Sequence, residues 1–212
     1  MNREQEPRTK EAFERSRSLR ARLFGNTHMP LEIAQLGQPV LRQIAAEVPR
    51  EQIAEPRFQL FLQSMLETLL HFRGAGLAAP QVSVSERVFL GAVFPPEEED
   101  GPPGIEAFIN PVITPLSDAK SRAWEGCLSF PELLVLVPRY RAVRIEYLNL
   151  EGQPDALELE DFAARVVQHE MDHLDGILTL DRAQSTLHIV KASEIETARK
   201  TIADDDAALQ DD

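Results

Sequence analysis

The feature that most constrains this chain is the sequence HEMDH at His169–His173. In a helix, residues four positions apart lie on the same face, so His169 and His173 can bind one metal ion, with Glu170 beside the ion's water. Apolar residues such as Val166 flank this sequence and predict that the helix is buried. Two buried imidazoles without a shared partner would be costly to desolvate, which favours a metal site over two histidines that share a surface by chance.

The two histidines leave such a site one protein ligand short, because a catalytic metal usually takes three. Only His188 lies downstream, and not at the metzincin spacing, while His28 and His71 lie outside any motif. Cys127, the single cysteine, lies in the sequence EGCLS at residues 125–129, and a thiolate binds Fe²⁺, Zn²⁺ or Co²⁺ strongly. Cys127 is therefore the better candidate for the third ligand, although a lone cysteine can also be a small buried hydrophobe.

A third signal is the glycine-rich sequence GAGLAAPQ at residues 74–81. Two glycines in three residues allow the backbone to approach a ligand closely. The amide of Gln81 can donate a hydrogen bond to a developing oxyanion at any pH. The structural alternative is a turn that ends a helix and leads into a core strand.

Together the three motifs resemble the peptide deformylases, metal-dependent hydrolases that remove the formyl group from the N-terminal methionine of new bacterial and organellar proteins. The family's motifs G-x-G-L-A-A-P-Q, E-G-C-L-S and H-E-x-x-H, the last with Asp before the second His, occur here in that order at 74–81, 125–129 and 169–173. The sequence GQPVLR at 37–42 is similar to the family's opening segment. The resemblance covers about residues 31–182.

The resemblance implies that Cys127, His169 and His173 bind one divalent metal ion and that Glu170 is the general acid/base. It implies Fe²⁺ as the native metal, with Zn²⁺ or other divalent ions as alternatives. The expected substrates are nascent N-formylmethionyl polypeptides, so proximity to the ribosome is expected as well.

The resemblance also implies how the substrate is held. Gln81 and the backbone N–H of Leu128 would bind the oxyanion, and Gly76 would contact the peptide backbone. Ala75 stands where the family commonly has Val or Ile, which predicts a roomier methionine pocket and a shifted substrate preference. Glu125 is expected either to orient the loop around the cysteine or to be a solvated carboxylate.

The expected fold is α+β, with antiparallel-rich sheets packed around a central metal-binding helix. The sequence predicts an N-terminal extension at 1–30, a catalytic metallohydrolase domain at 31–182, and a C-terminal helix and acidic tail at 183–212. Helices are expected at 56–73, ended by Gly74, at 162–174, between an Asp161 N-cap and Gly176, and at 184–203. Strands are expected at 87–94, 106–113, 133–138, 140–149 and 156–160.

The charge balance argues against direct nucleic-acid binding, because 22 basic against 35 acidic residues give a formal net charge of −13. Much of the acidity lies in the proline-rich loop at 95–104 and in five Asp at 201–212. The longest apolar run is far short of the ~20 residues of a membrane span. One cysteine fits a reducing compartment, and no signal-peptide pattern is present, so the cytoplasm is the expected location.

Two other functions compete with this interpretation. HEMDH alone would fit a zincin-type endopeptidase, which needs a downstream ligand and gives Cys127 no role. A deformylase-like protein that keeps its metal only as a binding module is the other alternative, but binding alone would need neither Glu170 nor Gln81.

Overall fold

The computed structural model describes residues 30–96 and 103–208. The N-terminal extension, most of the acidic loop at 95–104 and the end of the tail lie outside the described residues. Three longer helices and eight strands form the described part, together with a single α-helical turn at Arg50–Ile53 and several short 3₁₀ turns. The helices are α1 (Pro56–Phe72), α2 (Asp161–Leu174) and α3 (Ile195–Ala208), and the strands are β1 (Gly76–Ala78), β2 (Val88–Phe94), β3 (Gly104–Pro115), β4 (Lys120–Gly126), β5 (Leu133–Tyr140), β6 (Ala142–Leu148), β7 (Pro154–Glu160) and β8 (Ile189–Lys191).

The larger sheet has five strands in the order β1-β2-β3-β6-β7, and every neighbouring pair is antiparallel. Strand β2 is buried along its whole length, as its continuous apolar run predicts. Because side chains alternate along a strand, Val88 and Leu90 join the core under α1, whereas Phe89 joins the core under α2. The sheet is therefore covered by a helix on each face.

Helix α1 buries one apolar face, which includes Leu62, Met65 and Leu69, against the sheet. It ends at Phe72, and Arg73 takes the left-handed conformation with φ of 54°. The helix is therefore one residue shorter than the expected 56–73, and Gly74 directly follows the C-cap Arg73, as its predicted role of ending the helix requires.

The smaller sheet has three strands in the order β4-β5-β8, also antiparallel. Strand β4 was not expected, because its sequence KSRAWEG is mostly polar and lacks a strand-like apolar pattern. Strand β4 is stabilised by complete pairing with β5, from Lys120 opposite Tyr140 to Gly126 opposite Leu134, and its own sequence does not predict this pairing. This strand ends directly before the cysteine.

Helix α2 contacts strands of both sheets, which places it at the centre of the molecule and confirms the α+β fold. Its N-cap is Glu160 and not Asp161, which already belongs to the helix. The predicted stop is confirmed: Gly176 has φ of 71°, and a Cβ there would lie 2.8 Å from the carbonyl carbon of Arg42.

The helix expected at 184–203 is wrong in its first half. Residues Thr186–His188 form a 3₁₀ turn, β8 follows, and α3 begins only at Ile195. Ile189 and Val190 pair with β5 instead, because β-branched residues fit a strand better than a helix. No helix in the described part of the chain is long and apolar enough to cross a membrane.

Candidate metal centre

Three predicted ligands converge where α2 passes the end of β4. His169 and His173 lie one turn apart on α2, and Cys127 follows β4 in a turn closed by the hydrogen bond from Phe130 N–H to its carbonyl. Cys127 Sγ lies 3.3 Å from His173 Nε2, and the ligand atoms of all three residues lie within 4.8 Å of one another. Tetrahedral bonds of the usual lengths place S and N ligands ~3.3–3.6 Å apart, so the distance between Cys127 and His173 suits a small divalent ion.

Glu125 holds the imidazole of His169 in place. Its Oε2 lies 3.0 Å from His169 Nδ1, and the hydroxyl of Thr179 lies 3.4 Å from the same nitrogen, which leaves Nε2 for an ion. Glu125 is buried and also accepts hydrogen bonds from Arg139 at 3.0 Å and from Arg165 at 2.6 Å. The alternative of a solvated Glu125 is therefore wrong.

The charges of this network shift the pKa values of both partners. Burial alone would raise the pKa of Glu125, but hydrogen bonds from His169 and Arg139 outweigh it and lower that pKa to about 2. Burial alone would lower the pKa of His169, but hydrogen bonds to Cys127 and Glu125 raise it well above its usual value. The Glu125 carboxylate, 3.0 Å from Nδ1, would stabilise a metal cation on Nε2 of this ring in the same way that it stabilises a proton.

His173 is held differently. Burial lowers its pKa well below the usual value, which keeps the ring neutral and its lone pair available. The neighbouring Asp172 is buried between two arginines, at 2.6 Å from Arg139 and 2.5 Å from Arg182, and these contacts fix the last turns of α2.

Sequence reasoning missed the arginines that surround the metal centre. Arg139 lies in the otherwise largely apolar strand LLVLVPRY, and its side chain is only 5% exposed. The position of this arginine in a largely apolar strand could have indicated a buried ion-pair network, because a buried guanidinium needs carboxylate partners.

Glu170 lies beside the three ligands with one oxygen unsatisfied. The residue is 3% exposed, and its Oε2 has no hydrogen-bond partner in the described part of the chain. Burial raises the pKa of Glu170 to about 7. A carboxyl group that titrates near neutrality and keeps a free oxygen can accept and release a proton.

Gly76 makes room for this carboxylate. A Cβ on Gly76 would lie 2.2 Å from Glu170 Oε1, far inside contact distance. The glycine at this position is therefore required by Glu170 packing, a role that the sequence did not predict.

Gln81 and Leu128 present hydrogen-bond donors at the same place. The side-chain oxygen of Gln81 accepts from Ala78 N–H at 2.9 Å, which directs its NH₂ group to within 3.4 Å of Cys127 Sγ and Ser129 Oγ. Among the residues described, none accepts a hydrogen bond from the backbone N–H of Leu128. Both groups can donate to a ligand.

A cleft of about 350 Å³ opens beside these residues. Ala75, Gly76 and Val166 line it, and Phe72 and Phe162 form an exposed apolar part of its wall. The predicted pocket residue Ala75 thus borders the cleft that also contains Glu170, so a bound ligand could meet both.

The residues present fit a divalent metal ion. A thiolate and two imidazoles form a donor set that suits Fe²⁺, Zn²⁺ or Co²⁺, and Cys127 and His173 are buried while His169 is half-buried. In the described residues this is the only group of three or more His, Cys, Asp or Glu with that geometry. His188, the other downstream histidine, does not belong to it.

Comparison with known proteins gives a consistent result. Residues 30–188 match the family model described as polypeptide deformylase. The chain is 41% identical over 168 residues to "Peptide deformylase 2" of a Nostoc species, covering 78% of this chain and 93% of that protein. Two solved structures are also similar. The peptide deformylase of Thermotoga maritima has a TM-score of 0.67 and 39% identity, and the match covers 74% of this chain and 100% of that chain. A peptide deformylase of Acinetobacter baumannii with Met-Ala-Ser bound has a TM-score of 0.68 and 35% identity, and the match covers 74% of this chain and 99% of that chain.

Proposed function

This chain belongs to the peptide deformylase family, and we propose that it removes the formyl group from formyl-methionyl peptides with an ion held by Cys127, His169 and His173. Members of the family are metal-dependent hydrolases, so the chain is an enzyme of that class. The observation that carries the proposal is the convergence of the three ligand atoms within 4.8 Å.

A divalent ion bound there would supply Lewis acidity, which polarises the formyl carbonyl and makes water more acidic. The remaining chemistry belongs to the side chains of this protein. Glu125 and Thr179 orient His169, and the neutral ring of His173 completes the donor set.

Glu170 is proposed as the general acid/base. Its unpaired Oε2 and its pKa of about 7 support a role in which it takes a proton from the attacking water and delivers it to the leaving amine. Its packing on Gly76 fixes the position of the carboxylate before substrate arrives.

The oxyanion is proposed to lie between the NH₂ group of Gln81 and the backbone N–H of Leu128. The hydrogen bond that Gln81 accepts from Ala78 supports this role, because it fixes which end of the amide faces the cleft. Donors that are oriented in advance stabilise a developing negative charge without reorganisation.

The substrate's first residue is proposed to lie beside Ala75, with Gly76 contacting the peptide backbone. Both line the cleft, and the small side chain of Ala75 supports the expected roomier pocket. The relative that was solved with Met-Ala-Ser bound supports a peptide substrate that begins with methionine.

The zincin alternative is disfavoured, because Cys127 belongs to the ligand cluster and His188 does not. The binding-module alternative is disfavoured by the buried and unpaired oxygen of Glu170, which binding alone would not need. Four statements stay predictions: that Fe²⁺ is the native ion, that the protein is located in the cytoplasm, that it works near the ribosome, and that the chain divides into three parts.

The test is a deformylation assay on the full chain, prepared anaerobically with Fe²⁺ and, in parallel, with Zn²⁺. Formyl-Met-Ala-Ser should release formate with both metals and faster with Fe²⁺, whereas acetyl-Met-Ala-Ser should release no acetate. Cleavage of internal peptide bonds without release of formate would instead establish an endopeptidase.

A further inference from the structure

A second cleft, of about 460 Å³, lies on a different face of α2 from the metal ligands. Gln168, Met171 and Asp172 of that helix line it, whereas His169 and His173 face the metal centre. Its volume falls within the roughly 300–1,000 Å³ of small-molecule sites. We call it the rear cleft, and nothing in the deformylase reaction uses it.

The rear cleft is positive although the chain as a whole carries −13. Four cationic side chains and two carboxylates line it, which gives a local charge of +2. Counting the buried neighbours Glu125 and Arg165 leaves this value unchanged, because they cancel each other. The lining charges are Arg87, Lys120, Arg139 and Arg182 against Asp172 and Asp175.

Two of these cations, Lys120 and Arg182, have hydrogen-bond donors that the described residues do not use. No carboxylate in the described part of the chain pairs with Lys120, whose ammonium lies 4.5 Å from the centre of the Tyr140 ring. Arg182 is 44% exposed and donates to Asp172 through Nε and Nη2, so Nη1 has no partner among the described residues. An added anion could therefore bind without breaking an existing ion pair.

Part of the lining of the rear cleft is apolar. Val112, which is 60% exposed, lies there with Ile113, Pro115 and Met171. Cations beside an exposed apolar surface suit a ligand with an anionic group and an apolar body, in contrast to a small inorganic ion.

We propose that the rear cleft binds a small organic anion. Its carboxylate or phosphate group accepts hydrogen bonds from Lys120 and Arg182, and its apolar body lies against Val112 and Ile113. This inference is independent of the proposed function, because its measurement is binding and not release of formate.

The test is calorimetric titration of the metal-loaded full chain with four probes: hexanoate, hexyl phosphate, hexanamide and inorganic phosphate. Hexanoate and hexyl phosphate represent the two possible anionic groups, and the tighter of them identifies the one that the cleft prefers. Hexanamide should bind at least about tenfold more weakly, since it lacks the charge-assisted hydrogen bonds.

Lys120→Gln separates the rear cleft from the metal centre, to which a carboxylate could also bind. This variant should weaken binding of the preferred anion at least about tenfold, whereas Lys191→Gln, at an exposed lysine outside the cleft, should leave it unchanged. Equal binding by the two variants, hexanamide binding as tight as that of the anions, or binding of inorganic phosphate alone would each overturn the proposal. Absence of binding at millimolar concentrations would overturn it as well.

Discussion

Glu125 Oε2 lies 3.0 Å from Nδ1 of His169, so a carboxylate from β4 sets the orientation of a candidate metal ligand on α2. Glu125→Gln should weaken divalent-ion affinity ~10–100-fold, the usual effect of removing such a partner. The amide cannot balance the charges of Arg139 and Arg165, so thermal stability should fall too. Competition with a chelator measures the affinity, and the exposed Glu132→Gln is the matched control. Equal affinities in both variants would show that this contact does not tune the metal centre.

The three ligands can be tested by counting metal ions per chain. His173→Ala and Cys127→Ala should each lose stoichiometric metal, because two protein ligands hold a catalytic ion poorly. His71→Ala, at an exposed histidine outside the cluster, should keep one ion per chain. Elemental analysis after gel filtration gives the count, and full metal content in Cys127→Ala at neutral pH would contradict the assignment.

Glu170→Gln should retain the metal ion but lower kcat for formyl-Met peptides by ~10²-fold or more, the usual scale for loss of a general acid/base. The amide preserves the shape of the side chain but cannot take up a proton. Glu160→Gln, an exposed residue just before α2, is the control and should keep normal turnover. Near-normal turnover by metal-loaded Glu170→Gln would remove Glu170 from the mechanism.

Gly76→Ala tests whether the missing side chain at Gly76 is needed to position the Glu170 carboxylate. The added Cβ would lie 2.2 Å from Glu170 Oε1 and must displace it, so kcat should fall ~10²-fold while metal content stays constant. Gly126→Ala is the matched control in the same cleft, because its Cβ would meet only Leu134 Cδ2, at 3.4 Å. An unchanged kcat in Gly76→Ala would mean that Glu170 works from another position.

Ala75→Val should narrow the pocket for the first residue of the substrate. Each lost apolar contact of one CH₂ is worth up to ~0.8 kcal/mol, and discrimination by one methylene is ~1–3 kcal/mol. For each protein, kcat/KM for a formyl-Phe peptide is divided by kcat/KM for a formyl-Met peptide. This ratio should be several-fold higher in the wild type than in Ala75→Val. Steady-state kinetics with both substrates on both proteins measures it, and an unchanged ratio would place the pocket wall elsewhere in the cleft.

The sequence by itself determined the parts of this protein that depend on local periodicity and local chemistry. Helical spacing puts His169 and His173 on one face wherever the helix lies, and the thiol chemistry of Cys127 selects it as a ligand candidate. A continuous apolar run such as β2 predicts a buried strand in any fold. The α+β architecture with a central metal-binding helix could be predicted from the order of helices and strands along the chain.

Only the tertiary structure decided what surrounds those ligands. Glu125 contacts Arg139, Arg165 and His169, which lie 14, 40 and 44 residues away in the sequence. These contacts depend on the register of the strands and on the position of α2 against them. Strand β4 likewise forms through pairing with β5, which its own polar sequence does not predict. Local periodicity carries no information about such distant partners, so the charges that orient His169 and the fit of Gly76 against Glu170 emerge only when the chain is folded.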